Sequence, residues 1–147
     1  MYEFAAQQTW SAYQQHLSGN AVGVVGVLSA RPLGAPARHA FDSSANALGF
    51  GRDACFFCSL RADDGALQPT QVLELVEGLD PMAMALADAE AIRALSDAYR
   101  TGITPMTRTR VFGRNVVAFR DFESMLDDPA DKQRAWAVLK LLAPAAS

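Results

Sequence analysis

The residues of this sequence that could do chemistry are few: two cysteines, two histidines and a scatter of arginines and carboxylates. Cys55-Phe56-Phe57-Cys58 has the spacing of a redox pair or of half a zinc site. A redox pair sits at a helix N-terminus, where the dipole lowers the thiol pKa. Here the surrounding residues read as a strand, and residues three apart in a strand point to opposite faces. Buried, inert thiols are the reading that follows. His16 and His39 have no partner at zinc-ligand spacing. His16 is placed on the polar face of the first helix, His39 is read as exposed, and neither falls in a strand-end loop. A nucleophile–histidine enzyme is therefore disfavoured. Gly23, Gly26 and Gly34 do not form a dinucleotide fingerprint and there is no Walker lysine, which disfavours nucleotide binding of the standard kinds.

The charged residues divide into three groups. Asp63-Asp64 and Asp127-Asp128 are adjacent carboxylates, which in loops diverge and serve turns or caps. One of Asp127 and Asp128 is expected to cap the last helix. Arg100, Arg108, Arg110, Arg114 and Arg120 surround the fourth strand, offset by Asp121, Glu123, Asp127 and Asp128. A formal net charge of −3 favours a solvated loop over a phosphate-binding surface. Arg31, at the end of the first strand, is expected to pair with Asp121 or Asp63 across the mouth of the fold.

These residues must be positioned by a regular alternation of elements. Ala6, Trp10, Tyr13 and Leu17 make one apolar stripe, which predicts a helix over 4–17. Ser18-Gly19-Asn20 reads as a turn. Val22 to Leu28, Ala54 to Leu60, Met82 to Ala87 and Val116 to Phe119 are short apolar runs, the pattern of buried parallel strands. Helices opened by Pro36, Pro69, Asp88 and Pro129 separate or follow them. "RADDGALQ" and "RTGITPMTRT" read as loops, Val111-Phe112 as a short extended piece and Gly113-Arg114 as a turn. Strands alternating with helices predict a parallel sheet covered on both sides. Ligands in such sheets bind beyond the carboxyl ends of the strands. There the fourth strand runs into Arg120-Asp121-Phe122, no familiar catalytic signature.

The 147 residues are read as one domain, residues 1–147. Half of them are hydrophobic and 20% are charged, the balance of a globular chain. "MYEFAAQQTW" lacks the pattern of a signal peptide and "AVGVVGVLSA" is too short to span a bilayer, so a cytoplasmic location is expected.

Several phrases fall in a telling order: "GVLSARPLG", "LGFGRDACFFCSL", "LDPMAMALADAEAIRAL", "VVAFRDFESMLD" and "DKQRAWAVLKLL". From about Val22 to Leu142 the chain resembles the uracil-DNA glycosylase superfamily, especially its bacterial and archaeal branches. Pro32, Gly34, Leu48, Gly49, Arg52, Asp53, Val116, Val117, Ala118, Leu126, Lys132, Arg134, Trp136 and Leu139 fit the pattern. The resemblance implies a three-layer α/β/α fold with a mostly parallel four-stranded sheet. It also implies where chemistry would sit, and there the residues differ. The water-activating acid would stand near Ala30, yet no acid lies between Val22 and Asp42. The base-reading Asn is replaced by Cys58-Ser59. The histidine that stabilises the departing base is replaced by Asp121, and the proline after it by Phe122. A carboxylate beside a departing anion repels it. The segment after Phe122 is short and acidic and lacks the family's DNA-inserting loop, which base flipping would need.

The expectation is a glycosylase-like protein without excision activity, acting as a binding or interaction module. One alternative is an active glycosylase with a rewired site, in which Asp121 activates water with help from Arg31 or Arg120. Another is a small-molecule-binding domain unrelated to nucleic acid. The expected binding residues are Arg31, Pro32, Gly34, Cys58, Ser59, Arg120 and Phe122. The candidate partner is a nucleic acid or a nucleobase-like ligand; no cofactor, metal or membrane is expected.

Overall fold

The computed structural model describes residues 2–63 and 65–143, with side chains from Ala5 onward. The chain begins with α1 (Tyr2–Ala12), a 3-10 turn (Gln14–His16) and β1 (Leu17–Gly19). Then come β2 (Val25–Ser29), α2 (Ala35–Ala47), β3 (Cys55–Ser59) and a small ribbon of β4 (Arg61–Ala62) and β5 (Gly65–Ala66). α3 (Pro69–Leu79), β6 (Ala83–Leu86) and α4 (Ala89–Tyr99) follow, then the hairpin β7 (Arg108–Val111) and β8 (Arg114–Ala118). α5 (Phe122–Met125), α6 (Pro129–Leu139) and a closing 3-10 turn (Lys140–Leu142) complete it.

The main sheet has six strands in the order β1-β3-β2-β6-β8-β7. β3, β2, β6 and β8 run parallel, while β1 and β7 are antiparallel edges. The protein is thus α/β with a mixed sheet, and the four-stranded expectation is corrected to six. The four parallel strands are the four apolar runs. The two edges are short and partly polar, so no apolar pattern announces them. β1 takes Leu17, the last residue of the expected first helix, and Ser18-Gly19 of the expected turn. Its turn residue Gly19 has φ +88° and lies so close to β3 that a Cβ would come within 2.8 Å of the Cys55 carbonyl oxygen. β7 takes the end of an expected loop and Val111 of the expected extended piece; the hairpin turn is Phe112-Gly113, with φ of +49° and +82°, one residue before the expected Gly113-Arg114. Both positive angles are what a two-residue hairpin turn requires.

Alternation along the parallel strands sends side chains to two cores. Val25, Val27, Ala83, Ala85, Val117 and Phe119 pack with Phe41 of α2 and Leu139 of α6. Leu28, Met84, Leu86, Val116 and Ala118 pack with Val72 and Val76 of α3 and Leu95 of α4. Gly26, inside β2, leaves room for the Phe56 ring, which a Cβ would meet at 2.7 Å. Prolines at the first turns of α2, α3 and α6 sit where their missing N–H is harmless. Asp88 caps α4 through Ala91 N, as expected, and Asp128 rather than Asp127 caps α6 through Ala130 N. Among the described residues no helix is long and apolar enough to cross a membrane.

One aromatic group fixes the carboxyl end of the sheet. Phe122 stacks on Phe41 at 4.0 Å and meets Phe119 edge-on at 5.0 Å. It thereby pins the loop after β8 to α2, so α5 replaces the acidic loop expected there.

Candidate functional site

The chain steps from β2 outward to β3, then returns past β2 to β6 and β8. The direction therefore reverses between β2 and β6, the place where open α/β sheets form a ligand crevice. Here that crevice is stitched shut by Asp88. Its Oδ2 accepts from Ala30 N at 2.9 Å and its Oδ1 from Ala91 N at 2.9 Å. The loop after β8 crosses the same point, with Phe122 N donating to Ala87 O and Ala89 N to Arg120 O.

The gap beside it, over the ends of β2 and β3, is open. A cleft of about 730 Å³ lies there, lined by Gln15, Arg31, Pro32, Ser59, Arg61 and Asp63 with Ala62. Its base is rigid. Ser29 Oγ donates to Arg31 O at 2.6 Å and Ser59 Oγ to Arg61 O at 3.1 Å. The strand pairing continues past both serines, through Leu60 N to Ser29 O and Arg61 N to Ala30 O. His16 supports the cleft from below: it is buried, and its Nδ1 lies 2.8 Å from Ser59 O. A carbonyl only accepts, so this nitrogen carries the hydrogen. The expectation that His16 lies on a polar helix face, away from strand ends, is corrected. The 3-10 turn after α1 folds it under β3.

Of the eight expected site residues, three line the cleft: Arg31, Pro32 and Ser59. Cys58 is buried, its side chain on the α3–α4 core, and burial pushes its thiol up to about 12. Burial, then the nearby Asp42 carboxylate, likewise raises the Cys55 thiol. Both are free thiols held protonated, in keeping with an inert role. Gly34 is the N-cap residue just before α2, and its N–H donates to Glu123 Oε2 at 3.0 Å. Phe122 is 1% exposed, a core residue rather than a surface for stacking a ligand. Arg120 and Asp121 are exposed beyond β8 and do not line the cleft. Asp121 Oδ1 accepts from Ser124 N at 3.2 Å and so caps α5. Among the described residues Arg31 forms no ion pair within 4.0 Å, so the expected pairing with Asp121 or Asp63 is absent.

Sequence reasoning missed Gln15 and Arg61 as cleft residues, and placed Asp63 at the mouth only as an ion-pair partner for Arg31. Arg61 reaches the site because β3 turns into the β4–β5 ribbon, read as a plain loop. It is held by Glu90 of α4 at 2.7 Å. Of the arginines around the fourth strand, Arg100, Arg108, Arg110 and Arg120 are exposed, in keeping with the solvated reading. Arg114 is buried in a structural network, and Arg110 donates to Asn115 Oδ1 at 3.2 Å. A second groove, of about 520 Å³, lies between α2 and α6 and is floored by Leu126, Ala135 and Trp136. Among the described residues no group of three or more His, Cys, Asp or Glu could hold a metal ion.

The arrangement can bind but is poorly equipped for acid–base chemistry. Its carboxylate, Asp63, is exposed on the rim, and its other polar groups are arginines, an amide and an anchored hydroxyl. No protein-family model matches the chain, and no curated protein matches it either.

Proposed function

We propose that the chain is a uracil-DNA glycosylase-like three-layer α/β/α domain that binds a ligand at the β2–β3 cleft and does not excise bases. One observation carries the reading. Asp121, the residue at the position of the family's catalytic histidine, caps α5 outside the cleft. A water-activating group must come within hydrogen-bond reach of the reacting atoms. Apart from Asp63, a carboxylate exposed on the rim, the cleft presents Ser59 and two arginines, groups suited to holding a ligand and not to base catalysis. The resemblance supports the scaffold, and the four central parallel strands are compatible with it.

The test is base excision on uracil-containing single- and double-stranded oligonucleotides at low salt. Release no greater than that of a mock-purified control is expected. Release that Asp121→Asn abolishes would overturn the reading in favour of a rewired enzyme.

A further inference from the structure

The ends of β2 and β3 carry the same three-residue device. Ser29-Ala30-Arg31 and Ser59-Leu60-Arg61 are both Ser-x-Arg, and Ser29 and Ser59 are partners in the parallel register. In each, the serine hydroxyl donates to the carbonyl of its own arginine, at 2.6 and 3.1 Å. Backbone bonds run on from Leu60 N to Ser29 O and from Arg61 N to Ala30 O, so the segments that carry the two arginines stay joined just beyond the strand ends. Both line the same cleft. Two guanidinium groups that line one cleft repel across it, and an anion taken up between them relieves that repulsion. Arg61 is partly offset by Glu90, while Arg31 has no ion-pair partner among the described residues. Asp63, exposed on the rim, is the opposing charge.

From this pairing we infer that the cleft binds a small phosphomonoester, its dianionic phosphate held between Arg31 and Arg61. The inference rests on the reading of the cleft as a ligand site. A phosphomonoester offers three terminal oxygens and close to two charges, which two planar guanidinium forks match. A phosphodiester linkage offers two such oxygens and one charge and fits the pair less well. The cleft volume of about 730 Å³ exceeds what a bare phosphate fills and suits a small molecule that bears one. Glu90 acts as the resident competitor for Arg61 and is displaced, at least in part, when the phosphate enters.

The experiment is isothermal titration of the full chain with inorganic phosphate, a nucleoside 5′-monophosphate, the corresponding neutral nucleoside, a sugar phosphate and a short phosphodiester oligonucleotide without terminal phosphates. A phosphomonoester is expected to bind, with affinity that falls as salt rises. Arg31→Gln and Arg61→Gln should each weaken it by about tenfold, the scale of one lost charge-assisted contact. Glu90→Gln should strengthen it several-fold, an opposite sign that misfolding would not produce. The nucleotide and sugar-phosphate arms separate the two sources of the phosphate. Binding of the nucleoside or of the oligonucleotide as tight as that of the best phosphomonoester would overturn the phosphate assignment and leave the cleft as a ligand site. Binding of phosphomonoesters unchanged in Arg31→Gln, or absent at millimolar ligand, would overturn it as well. Base excision, measured separately, bears on the underlying reading alone.

Discussion

The two ends of the parallel sheet treat their charged groups in opposite ways. At the amino end, Arg114 opens β8 with a side chain only 9% exposed. It donates to Glu77 Oε2 at 2.8 Å, to Asp80 Oδ1 at 2.6 Å and to the Pro81 carbonyl at 2.8 Å. Tyr99 adds a bond to Glu77 Oε2 at 2.6 Å. Asn115 reaches the carbonyls of Leu142 and Ala143, both at 3.2 Å, and ties the last turn to β8. At the carboxyl end the side chains of Ser29, Ser59 and Asp88 are spent on backbone groups and Arg61 on Glu90, while Arg31 is exposed and forms no ion pair among the described residues. Fixed dipoles and charges that already satisfy one another stabilise a fold and leave little for a ligand. The carboxyl end, where Arg31 has no such partner among the described residues, is therefore where the ligand site is proposed.

Arg114→Met is expected to show the largest effect. It leaves the apolar stem in place and removes the hub of the amino end. Breaking a buried ion pair costs roughly 3–5 kcal/mol. Glu77 and Asp80 are 44% and 39% exposed, so water reaches them and the loss should be about 3 kcal/mol. The shift of the urea midpoint measures it. A loss below about 1 kcal/mol would mean that the amino end is not the stabilised one, and the contrast would fail.

Asp88→Ala asks how firmly the carboxyl end is closed. It removes a helix cap and leaves the Ala30 N–H without its acceptor, together about 2 kcal/mol. Amide exchange at Ala30 should speed up along with the fall in stability. Fast exchange at Ala30 in the unmutated protein would instead show that the crevice between β2 and β6 already opens.

Asp88 also shows how far the sequence could be read. Its cap on α4 is visible locally, as an Asp before an apolar-periodic run. Its second bond, to Ala30, spans 58 residues and depends on β2 lying beside β6. The same holds for the cleft. Arg31 could be chosen because it ends a recognisable strand, whereas Arg61 acquires meaning only through the register that sets Ser29 against Ser59. The four parallel strands were legible because they are buried on both faces. The edges β1 and β7 were not, since three or four partly polar residues are held there by a neighbour's backbone and not by their own pattern. Phe122 was misjudged for a related reason. A residue just after a strand reads as a loop residue until the aromatic partner from α2 is in place.

Alkaline pH tests both ends through one strand, since Cys55 starts β3 and Cys58 nears its carboxyl end. Burial raises both thiols above their ordinary value of 9.0, Cys58 to about 12. The unfolded chain therefore loses these protons first. The stability they contribute is intact below pH 9 and declines as pH rises toward the folded-state values. The slope approaches about 1.4 kcal/mol per pH unit for each thiol. Tyr99, raised by burial and then by its bond to Glu77, steepens the decline above its ordinary 10.0. Urea midpoints from pH 8 to 10.5 should fall, and the fall should be shallower in Cys55→Ala/Cys58→Ala. A thiol reagent sharpens the comparison: if the carboxyl end breathes more, Cys58 reacts before Cys55.

The smallest stability effect is expected for Arg31→Gln. Arg31 is exposed and, among the described residues, makes no ion pair. Its link to the strand end is the backbone carbonyl that Ser29 grips, and the substitution keeps that carbonyl. The change in unfolding free energy should stay within about 0.5 kcal/mol, against about 3 for Arg114→Met. Loss of one of the two like charges that line the cleft acts in the stabilising direction. A loss above about 1 kcal/mol would place Arg31 in the structural class with Arg114. Both ends would then be built alike, and the cleft would lose its claim to an uncommitted cation. A neutral result would leave ligand binding as the property for which that cation is held in place.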